Sequence, residues 1–129
     1  MNEVNVDWSR MVRENLIGSG VVDQGAIVGL DGSLWGKSDW HVTQRGLEDL
    51  AKAFQSVETN SIKLLDPGPT YTVTEISGEF FHANQGNEGI FAWKTVQAVV
   101  LVHYAEGKQP EMAKMAGGAL ADYLKSNDY

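Results

Sequence analysis

The sequence contains no cysteine, which excludes several kinds of chemistry at once. A disulfide framework, a thiolate nucleophile and a cysteine-ligated zinc or iron–sulfur site all require that residue. Long apolar runs are missing too, because no window approaches the ~20 apolar residues of a membrane span. The first ten residues also lack the apolar stretch of a secretory signal. A soluble, intracellular protein is therefore expected.

Positive charge is scarce. Ten Lys and Arg residues stand against seventeen Asp and Glu residues, which gives a net charge of −7. Such a chain repels nucleic acid and anionic lipid at long range, so no nucleic-acid partner is expected. The length of 129 residues, without repeats or low-complexity tracts, predicts a single domain over residues 1–129.

Catalytic signatures are lacking as well. The three histidines, His41, His82 and His103, are scattered and have no metal-ligand spacing, so they are interpreted as surface or packed imidazoles. Ser33 follows Gly32 on a predicted hairpin, which is not the strand-to-helix turn of a hydrolase nucleophile. The sequence therefore predicts neither an enzyme nor a cofactor or metal site.

Three segments have the spacing of amphipathic helices. The first is capped by Asp7 or Asn5 and ends at Gly18, the second follows Thr43, and the third begins at Pro110. Their apolar faces are predicted to be Trp8, Met11, Val12 and Leu16 in the first; Leu47, Leu50, Ala51 and Phe54 in the second; and Met112, Met115, Ala116, Ala119, Leu120, Tyr123 and Leu124 in the third.

Short β-rich runs occupy the rest of the chain. Residues 26–30 and 33–35 flank Asp31-Gly32, which predicts a hairpin with a two-residue type I′ turn. Residues 71–76, 79–83, 90–94 and 98–104 are also predicted strands, and their short links favour antiparallel pairing. The fold class predicted from these patterns is α+β, with helices covering an antiparallel sheet.

Aromatic residues cluster near the ends of the chain and at the hairpin. Trp8 lies on the first helix, Trp35 follows the hairpin turn, and Tyr123 and Tyr129 close the sequence. Trp and Tyr rings can stack on proline while their N–H and O–H groups donate to polyproline II carbonyls. From spacing alone, a proline-binding surface and an ordinary core role for the two tryptophans remain equally open.

The chain resembles the profilin family over essentially its whole length. The similarity is carried by the opening helix with Trp8, by "AIVGLDGSLWGKS", by "KTVQAVVLVHY" and by "LADYLKSNDY". This resemblance implies a central antiparallel sheet with the N- and C-terminal helices together on one face and a further short helix on the other. It also implies a cytoplasmic, cytoskeleton-associated protein that binds monomeric actin, proline-rich segments of actin-assembly factors, and phosphoinositides.

The resemblance assigns residues to two surfaces. The polyproline-binding residues it implies are Trp8, Met11, Trp35, Tyr123, Leu124 and Tyr129. The actin-binding residues it implies are Lys94, Thr95, Gln109, Glu111, Lys114, Met115 and Gly118. Trp40 has no counterpart in either group and is assigned to packing, while an ordinary solvated helix face remains the alternative for the actin-binding residues of the last helix.

Some positions depart from the family pattern. Met11 stands where profilins usually have a groove tyrosine, Thr70 where a lysine is common, and His82 where an arginine is common. No Lys or Arg occurs from Leu64 to Trp93. Weaker polyproline binding, weaker electrostatic steering towards actin and weak phosphoinositide binding are therefore expected.

The functional hypothesis is a profilin-type protein that binds actin monomers and proline-rich segments and so regulates actin polymerisation. One alternative is a polyproline adaptor with weak or lost actin binding. Another is a small-ligand or signalling module, since PAS-like and longin-like domains also wrap helices around an antiparallel sheet.

Overall fold

A computed structural model of the protein describes residues 6–129, so Asn5, one of the two predicted caps, lies outside the described residues. The elements in chain order are α1 (Trp8–Asn15), a 3-10 turn (Ile17–Ser19), β1 (Gln24–Gly29), β2 (Leu34–Lys37), α2 (Gln44–Ser56), β3 (Ser61–Lys63), β4 (Thr70–Ile76), β5 (Phe80–Gln85), β6 (Glu88–Lys94), β7 (Ala98–Tyr104) and α3 (Pro110–Ser126). Within this range, no helix combines the length and the apolar character that a membrane crossing needs.

The seven strands form one sheet in the order β2-β1-β7-β6-β5-β4-β3. Every neighbouring pair is antiparallel, as predicted from the short links. The strand β3 was not predicted from the sequence. It has three residues, and only its pairing with β4, where Ile62 lies opposite Tyr71, identifies it.

Side-chain caps fix the starts of the first two helices. The carboxylate of Asp7 accepts from the backbone N–H of Arg10 at 3.0 Å, and the hydroxyl of Thr43 accepts from that of Gly46 at 2.9 Å. The predicted end of α1 at Gly18 is wrong, because the helix stops at Asn15 and tightens into the 3-10 turn that contains Gly18.

The hairpin between β1 and β2 has a longer loop than predicted. Gly32 has a φ of 90°, but Asp31 is not among the residues with positive φ, so the predicted type I′ turn is wrong. The Asp31 carboxylate instead accepts from the backbone N–H and the hydroxyl of Ser33, at 2.9 and 2.6 Å. This Asx-type bonding stabilises the four-residue loop 30–33.

The sheet separates two apolar clusters. On one face, α2 buries Leu47, Leu50 and Phe54 together with Trp40. On the other face, α1 and α3 share a second cluster, to which α1 contributes Val12 and α3 contributes Leu120 and Leu124. The terminal helices therefore lie on one face and the middle helix on the other, and Trp40 serves in packing, as expected.

The face that α3 buries differs from the predicted one. Ala113, Gly117, Leu120, Ala121 and Leu124 are buried. Met112, Met115 and Tyr123, which the periodicity placed on the apolar face, are exposed, because small residues let the helix approach the sheet along the 113–117–121 line.

Candidate functional site

Three aromatic rings meet where α1, β2 and the last residue of the chain come together. The ring centroids of Trp8 and Trp35 are 4.9 Å apart at an interplanar angle of 48°. The Trp8 and Tyr129 centroids are also 4.9 Å apart, in an edge-to-face arrangement at 87°. All three side chains are partly exposed. We call Trp8, Trp35 and Tyr129 the aromatic groove.

The groove depends on a close approach of α1 to β2. A Cβ at Gly36 would overlap the backbone of Trp8 and Ser9, so only glycine lets the helix start lie directly on the strand. The Ser9 hydroxyl also accepts from the backbone N–H of Lys37 at 3.1 Å. These contacts fix Trp8 beside Trp35.

Tyr129 is held by the turn between β6 and β7. Its main-chain oxygen accepts from the Thr95 hydroxyl at 2.8 Å and from the backbone N–H of Gln97. The Gln97 side-chain amide donates to the carbonyl of Asp128 at 2.7 Å. These bonds fix Tyr129 against Trp8.

The other residues assigned to polyproline binding occupy different environments. Met11 is partly buried and packs against the same apolar cluster as the groove. Leu124 is completely buried beneath it, so it supports the surface and is not part of it. Tyr123 is 56% exposed on α3. Trp8, Trp35 and Tyr129 are thus the assigned residues that the structure brings together at the surface, with Met11 and Leu124 in the same apolar cluster.

A second aromatic cluster lies on the same face of the sheet, beside α3. Phe80, His82, Phe91, Trp93 and Tyr104 come from three adjacent strands. His82 stacks on Phe91 with centroids 4.2 Å apart. Phe80 and Trp93 lie opposite each other across β5 and β6, with centroids 5.7 Å apart.

Hydroxyl groups lie within hydrogen-bond distance of both ring nitrogens of His82. Nδ1 is 2.8 Å from the Thr74 hydroxyl oxygen, which is also 3.1 Å from the His82 carbonyl oxygen, and Nε2 is 2.8 Å from the Tyr104 hydroxyl oxygen. Burial lowers the pKa of His82, which favours the neutral imidazole. Burial also raises the pKa of Tyr104.

The helix α3 docks on this cluster through glycine and lysine. A Cβ at Gly117 would overlap the six-membered ring of Trp93, so the ring occupies the space that glycine leaves. The ammonium of Lys114 lies 5.1 Å from the centroid of the Phe80 ring, within cation–π range. The outer edge of α3 is therefore placed directly beside Trp93 and Phe80.

The residues assigned to actin binding lie on α3 and at its N-cap, at the end of β6, and in the turn that follows β6. Met115 is 68% exposed, and a Cβ at Gly118 would come no closer than 3.8 Å to Trp93. Gln109 precedes α3 as its N-cap residue, followed by Glu111 in the first turn. Lys94 shares a surface depression of about 390 Å³ with Glu79, Thr95, Val96 and Lys125. The Thr95 side chain differs from the others, since it is buried and its hydroxyl holds Tyr129.

Sequence reasoning missed a buried polar cluster on the opposite face of the sheet. His103 Nδ1 donates to both carboxylate oxygens of Asp23 at 2.9 Å, and its Nε2 lies 3.5 Å from Glu88 Oε2. Burial, together with the Glu88 and Asp23 charges, raises the pKa of Tyr71 beside it. Asp23 and His103 are 80 positions apart, so no local signal links them. Among residues 6–129, no group of three or more histidine and carboxylate side chains could hold a metal ion.

Comparison with known proteins gives one consistent result. The sequence model described as Profilin matches residues 6–129. Profilin-3 of Caenorhabditis elegans is 38% identical over 128 residues, which cover 96% of this chain and 100% of that protein. Profilin-1A of Acanthamoeba castellanii is 32% identical over 121 residues, which cover 92% of this chain and 96% of that protein.

Solved structures that superpose on this chain are also profilins. Profilin IB of Acanthamoeba castellanii superposes with a TM-score of 0.89 at 32% identity, covering 95% of this chain and 99% of that one. LokiProfilin1, in a complex with rabbit actin, superposes with a TM-score of 0.78, covering 97% of this chain and 98% of that one. Its identity of 13% means that this second likeness concerns the fold alone.

Proposed function

The chain belongs to the profilin family, and from that premise we propose that it binds monomeric actin on one surface and proline-rich segments on another. Profilins are actin-binding proteins and not enzymes, so the proposed mechanism is non-catalytic. The two surfaces would let one molecule carry an actin monomer to a proline-rich assembly factor. The proposal includes a cytoplasmic location beside the cytoskeleton.

The aromatic groove carries the polyproline part of the proposal. Trp8 contacts both Trp35 and Tyr129, and all three side chains are partly exposed, so they offer aromatic surface that carries N–H and O–H donors. A polyproline II helix has no internal hydrogen bonds, so its carbonyls are free to accept from such donors. Thr95 and Gln97 hold Tyr129 in place, which reduces the ordering cost of binding.

A tryptophan-fluorescence titration with a polyproline peptide tests this part. Trp8 and Trp35 are expected to report the peptide, because Trp40 is buried on the other face of the sheet and Trp93 packs against Phe80 and α3, outside the groove. Tyr129→Ala should weaken binding about tenfold, which corresponds to the loss of one well-packed aromatic contact. A glycine–serine peptide of equal length is the ligand control, and equal responses to the two peptides would refute the groove.

Family membership and the exposed edge of α3 support the actin part. The face that includes Lys114, Met115 and Gly118 is open to solvent beside Trp93. Binding of monomeric actin by the wild type and by Lys114→Glu, in low and moderate salt, tests it. Weaker binding by the variant would support this face. No binding by the wild type even at low salt would favour the polyproline adaptor that has lost actin.

The small-ligand alternative and phosphoinositide binding receive less support. The match of the profilin model to residues 6–129 disfavours a PAS-like or longin-like ligand module. Phosphoinositide binding is proposed to be weak, because Thr70 and His82 stand on strands that carry no Lys or Arg from Leu64 to Trp93. Sedimentation with vesicles that contain phosphoinositide, compared with neutral vesicles, measures this activity directly.

A further inference from the structure

The surface beside α3 is apolar at its centre. Trp93 and Phe80 are partly exposed where the edge of the helix leaves the sheet uncovered. Met115 projects from the helix with 68% of its surface exposed. Gly118, three residues further on, leaves bare backbone between Met115 and Trp93. We call Phe80, Trp93, Met115 and Gly118 the apolar patch.

Positive and negative charges border the patch together. The Lys114 ammonium lies over the Phe80 ring, where its stem covers further apolar surface, and Glu111 lies three residues before it on α3. Lys94 and Lys125 lie at the margin, in the depression that they share with Glu79. The strands β4 and β5 supply no Lys or Arg.

We infer that this surface holds actin chiefly by burying the apolar patch, with Lys114 as a secondary contact, so that affinity changes little with salt. The inference rests on the proposed actin binding and concerns the nature of the contact. Burial of apolar surface is not screened by ions, whereas attraction between exposed charges weakens as the Debye length falls. The lack of Lys and Arg on β4 and β5 thus makes apolar burial, and not charge attraction, the main source of actin affinity at this surface.

The place of the patch in the fold argues for actin as the occupant. Met115 and Gly118 belong to the residues that the family resemblance assigns to actin binding. Lys114, a third member of that group, has its ammonium over the Phe80 ring of the patch. The patch is therefore continuous with the proposed actin-binding edge of α3.

The experiment uses fluorescent actin monomers whose polymerisation is blocked, titrated with the full chain. Between about 0.05 M and about 0.3 M salt, the dissociation constant of the wild type should change less than about twofold. Met115→Gln, which keeps the length and the charge, should weaken binding about fivefold at both salt concentrations, because it removes an apolar side chain from the contact. Lys114→Gln should weaken binding by less.

Leu34→Gln is the matched control. Leu34 is 42% exposed, and it pairs with Val28 on the α2 side of the sheet, away from the patch. This variant makes the same apolar-to-amide change elsewhere and should bind actin like the wild type. Titration of both variants with polyproline peptide verifies that they are folded.

The outcomes separate the inference from the proposed function. Steep weakening with salt, together with a large loss in Lys114→Gln and none in Met115→Gln, would overturn the apolar contact while leaving actin binding intact. Absence of actin binding at every salt concentration, by a chain that still binds polyproline, would overturn the actin function and the inference with it.

Discussion

Thr95 donates its hydroxyl to the main-chain oxygen of Tyr129 at 2.8 Å, although the two residues are 34 positions apart. The same hydroxyl oxygen accepts from the backbone N–H of Ala98 at 3.1 Å, which fixes it within the turn between β6 and β7. Thr95 is thereby a positioning residue for the aromatic groove, since Tyr129 contacts Trp8 edge to face.

Thr95→Val tests this relationship. Valine keeps the shape but cannot donate, so Tyr129 should become mobile and polyproline affinity should fall roughly threefold to tenfold. Fluorescence titration with the peptide measures the change. Thr95→Ser keeps the hydroxyl and should retain most of the affinity. Equal binding by Thr95→Val and the wild type would mean that the other contacts of Tyr129 are sufficient.

Met11→Tyr should strengthen polyproline binding. Met11 is partly buried against the cluster that carries the groove, and it supplies no hydroxyl donor. A tyrosine there could donate to a ligand carbonyl, which is worth roughly threefold to tenfold in affinity. Met11→Phe adds the ring without the hydroxyl. An equal gain from both variants would assign the effect to the ring, and no gain from either would place position 11 outside the contact.

Local patterns were sufficient to predict most of the elements. The cap at Thr43, the proline at position 110 and the alternation along β4–β7 all act over a few residues, and the structure has helices and strands there. Interactions with distant or non-repeating partners were not predictable in this way. The three residues of β3 need β4, and the loop at Asp31 depends on its bonds to Ser33.

The candidate site shows the same division. The groove residues Trp8, Trp35 and Tyr129 were assigned through motif resemblance, and the structure brings them together. Their support by Thr95 could not be predicted, because that contact joins the chain end to a turn far away in sequence. Helical periodicity also placed Met115 on the buried face, but Met115 is exposed. Periodicity shows where apolar residues recur. It does not show that the small residues of α3 are the ones that pack against the sheet.

Stability should decrease as the pH falls below about 6.5, the usual histidine value, in part through His82. Burial holds the pKa of His82 below that of the unfolded chain, so the unfolded state binds the proton more readily. Stability is therefore lost as the pH falls from the pKa of histidine in the unfolded chain towards the lower pKa of His82 in the folded protein.

Urea unfolding between about pH 8 and about pH 5 measures the effect. His82→Gln should show a shallower loss of stability than the wild type across this interval. His41→Gln is the matched control, because His41 is exposed, and its curve should parallel that of the wild type. Carboxylate titration is common to all three proteins and cancels in the comparison. Parallel curves for His82→Gln and the wild type would contradict the prediction.

The adjacent glycines of α3 should respond in opposite ways to alanine. At Gly117 the added methyl overlaps the Trp93 ring, so Gly117→Ala should lower the free energy of unfolding by about 1–3 kcal/mol. At Gly118 the nearest ring atom is 3.8 Å away, so Gly118→Ala should raise it by up to about 1 kcal/mol through helix propensity. Urea unfolding followed by tryptophan fluorescence measures both.

The actin affinity of Gly118→Ala, compared with that of the wild type, tests whether Gly118 has a role in binding. Packing within the chain does not require glycine at position 118. The lower stability of a helix with glycine there, compared with alanine, therefore needs another reason. Close approach of a partner to bare backbone is one such reason, and it predicts a variant that is more stable but binds actin more weakly. A variant that gains stability and keeps full actin affinity would show that the partner does not approach the helix at Gly118.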